Sequence, residues 1–340
     1  MLFAKADKVV VTKEGIEDKL INYFRKRIQK INVLSFFYNT PSIFEKVMSY
    51  ALAQKKTVLY ITNELKENIS LAKYLSSVGY KLNYINYEFE GISRDKINIC
   101  THNRALYLSE KFDLIIYDDV NSIPIYEKQG ILRLLEHLSS SYGTMIAYSI
   151  EEIFDDGVTL FHPINNNGRP LIEPRIINTR INVNEDLPLV IYDYISWSIF
   201  SGKKVIIYVP DDEKVENINN YLLNFKDQLT KNIYIYNRTK KDKTNIEKFR
   251  IAAKGIIITD CFEQEEMDLQ EINVMVFFAD NEVFNYKKLV YLTSRANRCL
   301  SESREEVIFL SNETNEAIDK AKDILRELNR KAWEEGFLNI

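Results

Sequence analysis

Two adjacent carboxylates, Asp118 and Asp119, follow directly after the apolar run 112–117. In an α/β sheet, ligands bind outside the carboxyl ends of the strands, so this position suits a catalytic pair. In an ATPase of this architecture the first acid holds Mg²⁺ and the second orients the attacking water. The same residues also fit an ordinary turn after a strand, where aspartate is common. The sequence leaves both interpretations open.

The segment that would bind the phosphates of ATP lacks the residues for that task. Residues 34–43 read LSFFYNTPSI, with neither glycine nor lysine. Backbone N–H groups converge on a phosphate where glycine permits a tight turn, and a lysine supplies the opposing charge. We therefore expect no cofactor, and Lys46 lies too far into the next helix to replace the missing lysine. The degenerate loop consists of Tyr38, Asn39, Thr40, Pro41 and Ser42.

Arg295 and Arg298 lie three residues apart within the segment 289–298. On a helix this spacing puts both guanidinium groups on one face. Such a pair could stabilise the charge of a γ-phosphate or contact a nucleic-acid phosphate. The alternative is a solvated helix on which the arginines pair with Glu302 or Glu305.

A basic stretch covers residues 231–254, with eight lysines and arginines against two acids. Cations interleaved with Tyr234 and Tyr236 suit a single-stranded nucleic acid, which needs charge neutralisation and a stacking surface. The alternative is a solvated helix edge beside the tyrosines of a buried strand. The acidic run 260–271 would repel nucleic acid and suits a basic protein partner. The candidate nucleic-acid contacts are Arg238, Lys240, Lys241, Lys243, Lys248 and Arg250.

Apolar strands and amphipathic helices alternate along the whole chain and would position these residues. Near-continuous apolar strands joined by helices are typical of a parallel sheet covered on both faces. We predict an α/β fold of two tandem lobes, each a mostly parallel sheet flanked by helices. The predicted boundaries are a first lobe at 1–152 with a leading helix at 16–31, a linker region at 153–186 with a short strand or two, and a second lobe at 187–340 with a C-terminal helix.

The composition is typical of a globular protein, with 46% hydrophobic and 28% charged residues. No apolar run approaches the roughly 20 residues that span a bilayer, so we expect no membrane span and a cytoplasmic location. Cys100, Cys261 and Cys299 lie far apart, and the chain has only three histidines. These spacings indicate core thiols and no metal site.

Several segments, in order, resemble the ComFA family of late-competence DNA-uptake motors, which are superfamily 2 helicase-like ATPases of the DEAD/DEAH type. The segments are 99–124 (ICTHNRALYLSEKFDLIIYDDVNSIP), 168–174 (GRPLIEP), 202–210 (GKKVIIYVP), 249–260, 289–298 and 317–338. The resemblance implies two RecA-like lobes of the P-loop NTPase superfamily. It also implies partners, namely a phosphoribosyltransferase-like protein and DNA-handling competence proteins.

The resemblance assigns family positions to residues of this chain, and several of those positions differ. It places the nucleotide loop at 37–42, the Mg²⁺-binding acid at Asp118 and the catalytic glutamate at Asp119. The acid that follows in the family is Asn121 here, and the Thr-Ala-Thr-Pro coupling motif corresponds to 147–150 (AYSI). In the second lobe, Glu-Arg-Gly corresponds to 263–265 (EQE), whereas the two arginines at 295 and 298 match.

These departures predict a ComFA-like pseudo-helicase that binds nucleic acid or acts as a scaffold, without a working ATP phosphate loop. One alternative is a weak ATP-dependent DNA helicase or translocase that uses Asp118 and Asp119 with ATP and Mg²⁺ on an unconventional loop. A second alternative is a module that interacts only with other proteins.

Overall fold

The computed structural model describes residues 13–37, 40–64, 66, 69–85, 91–162, 168–262, 271–296 and 305–338. The chain divides into two compact units. The first unit comprises Met1–Pro170 and Leu328–Ile340, and the second comprises Leu171–Glu327. Each contains a parallel sheet flanked by helices, so the predicted α/β class is confirmed, and the arrangement is consistent with two RecA-like lobes.

The first unit contains a seven-stranded parallel sheet. Its helices are α1 (Lys13–Arg25), α2 (Glu45–Ala53), α3 (Ser70–Ser77), α4 (His102–Ala105) and α5 (Lys128–Leu138), with a 3₁₀ turn at Pro41–Phe44. Its strands are β1 (Lys30–Leu34), β2 (Val58–Thr62), β3 (Leu82–Tyr84), β4 (Ile97–Cys100), β5 (Phe112–Asp118), β6 (Ser139–Ser149) and β7 (Val158–Phe161). The strand order is β3-β4-β2-β5-β6-β1-β7.

The second unit contains a six-stranded parallel sheet. Its strands are β8 (Arg175–Asn178), β9 (Lys204–Tyr208), β10 (Ile233–Tyr236), β11 (Gly255–Thr259), β12 (Ile272–Phe277) and β13 (Val307–Ser311). The helices are α6 (Leu189–Phe200), α7 (Asp212–Leu223), α8 (Lys243–Ile251), α9 (Tyr286–Thr293) and α10 (Glu316–Glu334), of which the last residues, from Leu328, belong to the first unit. The strand order is β10-β11-β9-β12-β13-β8.

Helices cover both faces of the first sheet, so side chains from alternate strand positions enter two separate cores. Tyr60, Ile116 and Tyr148 belong to one core, whereas Tyr117 and Ala147 belong to the other. Every residue of β2 is buried as a result. Strands buried on both faces are expected to be continuously apolar, which is the pattern that identified them in the sequence.

The leading helix ends earlier than the predicted range 16–31. Arg27 adopts a left-handed φ of 57°. Its N–H donates to the Phe24 carbonyl at 3.0 Å, and the N–H of Ile28 donates to the Tyr23 carbonyl at 3.0 Å. These two bonds form a Schellman motif, which terminates a helix. The prediction is therefore wrong for the last turn, where the chain instead turns into β1.

The segment 153–186 contributes one edge strand to each sheet, since β7 pairs with β1 and β8 pairs with β13. Asn32 of β1 holds the chain at the start of this segment. Its Oδ1 accepts the N–H groups of Ile153 at 2.9 Å and Phe154 at 3.0 Å, and its Nδ2 donates to the Phe154 carbonyl at 2.9 Å. A buried asparagine on a strand thus orders the chain that follows β6.

Candidate functional site

The predicted acids and the predicted nucleotide loop lie at the same edge of the first sheet. Asp118 is the last residue of β5 and pairs in register with Thr62 of β2 and Tyr148 of β6. The next residue of β6, Ser149, pairs with Leu34 at the end of β1. Because these strands are parallel, all of their carboxyl ends meet here. This edge is where an α/β sheet binds its ligands.

The Asp118 carboxylate is fully buried and engaged in internal hydrogen bonds. Its Oδ1 accepts the backbone N–H groups of Val120 at 2.9 Å and Asn121 at 3.0 Å. Its Oδ2 accepts the Asn121 side-chain amide at 2.8 Å and the hydroxyl of Tyr60. Four donors match the roughly four lone-pair positions of a carboxylate. Burial raises the pKa of Asp118, and the hydrogen bonds from Tyr60 and Asn121 oppose that rise.

Asp119 is also buried, with only 1% of its surface exposed. Its backbone N–H donates to the Tyr148 carbonyl at 2.9 Å. Burial, followed by the negative charge of Asp119, raises the pKa of Tyr117. Asn121, where the resemblance places a third acid, is neutral and bonds to Asp118. The predicted pair therefore lies together at the end of β5, and neither side chain is exposed.

Three fully buried aromatic side chains, Tyr60, Tyr148 and Phe44, pack in the core at this edge. The Phe44 ring meets Tyr148 edge-on, with 5.1 Å between ring centroids. The Tyr148 hydroxyl lies 3.4 Å from Ser35 Oγ and 3.2 Å from His162 Nδ1. Burial raises the pKa of both tyrosines well above the usual value, so they remain protonated.

These aromatic residues were not recognisable from the sequence as part of the site. Tyr60 and Tyr148 lie within apolar strands, where a tyrosine is indistinguishable from an ordinary core residue. The one available signal is chemical: a buried tyrosine hydroxyl needs a hydrogen-bond partner. The sequence does not reveal that Asp118, 58 residues beyond Tyr60, is that partner.

The described part of the predicted nucleotide loop forms the start of the 3₁₀ turn. Thr40 Oγ1 accepts the N–H of Ser42 at 3.2 Å and donates to Ser42 Oγ at 2.9 Å. Pro41 is the first residue of the turn and has no N–H. Tyr38 and Asn39 lie outside the described residues. Pro41 therefore has no N–H to offer a phosphate, and the N–H of Ser42 is already bonded to Thr40.

Lys46 forms ion pairs away from this loop. Its ammonium lies 2.9 Å from a carboxylate oxygen of Glu17 and 3.6 Å from one of Asp18, both on α1. The hydrogen bond to Glu17 raises the pKa of Lys46. The lysine nearest to the loop in sequence is therefore committed to α1.

In the second unit, Arg295 lies just beyond Thr293, the last residue of α9, and is 1% exposed. Its Nη2 donates to the Phe262 carbonyl at 3.3 Å and to the Tyr291 hydroxyl at 3.0 Å. The guanidinium also lies over the Tyr291 ring, 5.2 Å from its centroid. Arg298 lies outside the described residues. The helix predicted to carry both arginines thus ends before Arg295, and this side chain packs inside the second unit.

The candidate nucleic-acid contacts fall into two groups within the second unit. Arg238, Lys240 and Lys241 follow β10, whereas Lys248 and Arg250 occupy the last turn of α8. Lys243 is the first residue of α8. A helix rises about 1.5 Å per residue, so most of the length of α8 separates the two groups. The six residues thus lie in the loop after β10 and at the two ends of α8.

The loop group is partly paired within the protein. Arg238 donates its backbone N–H to Asp260 Oδ1 at 2.9 Å and its Nε to the Asp260 carbonyl at 3.1 Å. Lys240 donates to Glu216 at 3.1 Å on α7. Lys241 is exposed and has a left-handed φ of 46°. Lys241 and the Lys240 side chain, which is 64% exposed, are both accessible to solvent. Residues 263–270 of the acidic run lie outside the described residues.

Cys100 and Cys261 are buried free thiols, which confirms the prediction of core cysteines for these two. Burial raises the pKa of each thiol to about 12. Cys299 lies outside the described residues. Among the residues that the structure describes, no group of three or more His, Cys, Asp or Glu side chains could hold a metal ion. In the same part of the chain, no helix combines the length and apolar character needed to cross a membrane.

The chain is similar to curated competence proteins of two bacteria. It is 19% identical over 247 residues to the competence protein ComFA of Bacillus subtilis (strain 168), an alignment that covers 69% of this chain and 52% of that protein. It is 22% identical over 260 residues to the competence protein ComFA of Streptococcus pneumoniae (strain ATCC BAA-255 / R6), covering 72% and 59% respectively. No family model matches the chain. This weak homology supports a ComFA-like family, and the aligned region spans little more than half of each relative.

Proposed function

We propose that this chain is a ComFA-like, competence-related protein that binds nucleic acid in DNA uptake and does not turn over ATP. Similarity to two competence proteins supports the process. The observation that carries the loss of turnover is the bonding of Asp118, whose buried carboxylate accepts four internal hydrogen bonds. Mg²⁺ in nucleotide sites keeps several waters and binds a carboxylate that is open to them.

Recruiting Asp118 to Mg²⁺ would be costly. The donors on Val120, Asn121 and Tyr60 would lose their acceptor, and each buried donor left unsatisfied costs about 1–3 kcal/mol. The loop offers no lysine to offset this cost, because residues 34–43 contain none. Removing even one preorganised charge stabiliser typically lowers a rate by about 10²–10³. We therefore propose a pseudo-helicase that needs no ATP or Mg²⁺. We prefer it to the alternative, a weak ATPase that uses Asp118 and Asp119.

Nucleic-acid binding is proposed to use the exposed lysines after β10. We expect a fluorescently labelled single-stranded DNA to bind, with an affinity that falls as salt rises, since phosphate contacts release counterions. Lys240→Glu with Lys241→Glu should weaken binding by about tenfold or more. The matched control is Lys73→Glu with Lys81→Glu, which makes the same charge change at exposed positions of the first unit. If the two variants lost DNA affinity equally, the assignment of binding to this loop would be wrong.

A second candidate role is that of a scaffold for a protein partner, and the exposed apolar face of α6 favours it. Leu189, Trp197 and Phe200 are 73%, 46% and 75% exposed and share one helical face. We propose a phosphoribosyltransferase-like or DNA-handling competence protein as this partner. A purified partner of either class should bind the wild type and should lose affinity for Leu189→Glu with Phe200→Glu. Unchanged affinity would exclude this face.

A further inference from the structure

A groove of about 490 Å³ lies at the amino-terminal edge of the first sheet, opposite to the edge that carries Asp118. It forms where α1 and α2 end and where β2, β5 and β6 begin. The side chains that define it are Arg25, Arg27, Lys56, Tyr50, Tyr142 and Asp113. Its volume is in the range of ligand clefts, about 300–1,000 Å³.

Two positive charges in the groove, on Arg25 and Arg27, are not neutralised by any carboxylate of the described residues. Asp113 pairs with Lys56 at 3.3 Å. Burial acts to raise the pKa of Asp113, but the hydrogen bonds from Thr57 and Lys56 outweigh it, and the pKa is lowered. The Asp113 carboxylate is therefore ionised and paired with Lys56. The guanidinium groups lie over tyrosine rings instead. Arg25 lies 4.6 Å from the ring centroid of Tyr50, and Arg27 contacts the second tyrosine of the groove.

Both helices that end at the groove carry a basic residue where glycine is favoured. Arg27 follows α1 with a φ of 57°, and Lys55 follows α2 with a φ of 56°. As at the end of α1, two backbone bonds close a Schellman motif after α2. A left-handed conformation is strained for a residue other than glycine, because its Cβ comes too close to the following carbonyl oxygen. The basic residues at the two ends are Arg25, Lys26, Arg27, Lys55 and Lys56.

Helix ends alone do not account for this accumulation of charge. The carboxyl end of a helix carries about half a negative unit charge, which a single cation offsets. The end of α1 carries three cations, and two of them, Arg25 and Arg27, line the groove, where their charge suits an anionic ligand. Of the two left-handed residues, Arg27 lines the groove and Lys55 does not, so Arg27 is the one that brings its cation to a ligand bound there.

Tyr142 supplies an aromatic surface in the same groove. It is 72% exposed, and Arg27 lies over its ring at 5.4 Å from the centroid. The adjacent Gly143 allows close packing here, because a Cβ there would lie 2.6 Å from Ser139 Oγ and 2.7 Å from the Phe112 carbonyl oxygen. The irregular pairing at the start of β5 and β6 thus presents Tyr142 from a closely packed base.

We propose that this groove binds a segment of single-stranded nucleic acid, with a base stacked on Tyr142 and the flanking phosphate held by Arg25 and Arg27. The proposal rests on the proposed function for the class of ligand and adds a second contact in the first unit. An acidic peptide would satisfy the charges but would leave the exposed ring unused. A nucleotide uses both, since single-strand sites combine cations with stacking surfaces.

The test is fluorescence anisotropy with a labelled single-stranded oligothymidylate and two matched variants, Arg27→Gly and Lys55→Gly. Each variant removes one cation from a left-handed position after a helix, and each should leave the unfolding midpoint equal or higher. Arg27→Gly should weaken binding by about threefold or more and reduce the salt slope by about 0.7, whereas Lys55→Gly should change affinity less than about twofold. Tyr142→Ala should weaken binding by about 5- to 100-fold.

Photocrosslinking of an iodouracil-containing strand gives a second readout, with crosslinks expected at Tyr142 and reduced in Arg27→Gly. If the wild type binds the strand and neither Arg27→Gly nor Tyr142→Ala weakens that binding, the groove site is overturned. The proposed function would still hold. Equal losses in Arg27→Gly and Lys55→Gly would also overturn it, as would crosslinks confined to other residues. Absence of any wild-type binding would overturn both proposals, and binding of polyglutamate alone would assign the groove to an acidic partner.

Discussion

Replacing Asp118 with alanine should destabilise the first unit by about 3–5 kcal/mol. In the wild type, the N–H groups of Val120 and Asn121 and the hydroxyl of Tyr60 donate to the carboxylate. The change leaves these three donors without an acceptor. Three buried donors at about 1–3 kcal/mol each set the scale. Relief of the buried charge, whose cost appears as a raised pKa, reduces the total. Asp118→Asn keeps an acceptor oxygen and should lose only about 1 kcal/mol.

Urea unfolding measures this effect. In a Trp197→Phe background, Trp333 is the remaining tryptophan and belongs to the first unit. The control is Asp155→Ala, because its side chain is 83% exposed and its pair with Lys128 lies at the surface. This control should leave the midpoint nearly unchanged. If Asp118→Ala matched or exceeded the wild type in stability, the carboxylate would be a strained functional acid and the structural role argued for it would be refuted.

Two further predictions concern buried charges. Because burial raises the folded pKa of Asp118 above its unfolded value of about 3.9, the stability this group contributes is present below that value and is lost as pH rises through the folded pKa. In urea unfolding, the stability that Asp118→Asn loses relative to wild type should therefore become smaller as pH rises above about 4, and a difference that stays constant with pH would contradict the shift. Arg295→Ala should destabilise the second unit by about 2–4 kcal/mol, reported by Trp197, through lost bonds to Phe262 and Tyr291. It should leave DNA binding intact, and the reverse pattern would make Arg295 a ligand contact.

The parallel sheets were predictable because their strands are short, continuously apolar and separated by helical segments. β2, β9 and β11 all have this form. β8 was harder to place, since its residues RIIN are only half-buried or exposed and carry little periodic signal. The early end of α1 was also hidden, because Arg27 occupies a position where the usual marker, glycine, is absent.

The location of the candidate site was predictable, whereas its bonding was not. An apolar strand that ends in two aspartates places both at the carboxyl edge of the sheet, and β5 does so. Whether an aspartate there faces solvent or the interior depends on distant residues. Tyr60 lies on a different strand, and its hydroxyl reaches Asp118 only after β2 and β5 have paired. Contacts of this range leave no local pattern in the sequence.

The groove at the amino-terminal edge illustrates the same limit. Its basic residues are visible in the sequence as the ends of two helices, but they become a site only when α1 and α2 finish side by side. Tyr142 joins them through the irregular start of β6. The charge pattern shows a basic cluster at the end of the leading helix, but it does not place Arg25 and Arg27 beside Tyr142.

Isothermal titration of the full chain with ATP and Mg²⁺ tests the central claim most directly. With the Asp118 carboxylate bonded internally and no lysine in the loop, we predict no binding heat up to millimolar nucleotide. Micromolar affinity that requires Mg²⁺ and disappears in the folded Asp118→Asn variant would contradict the account.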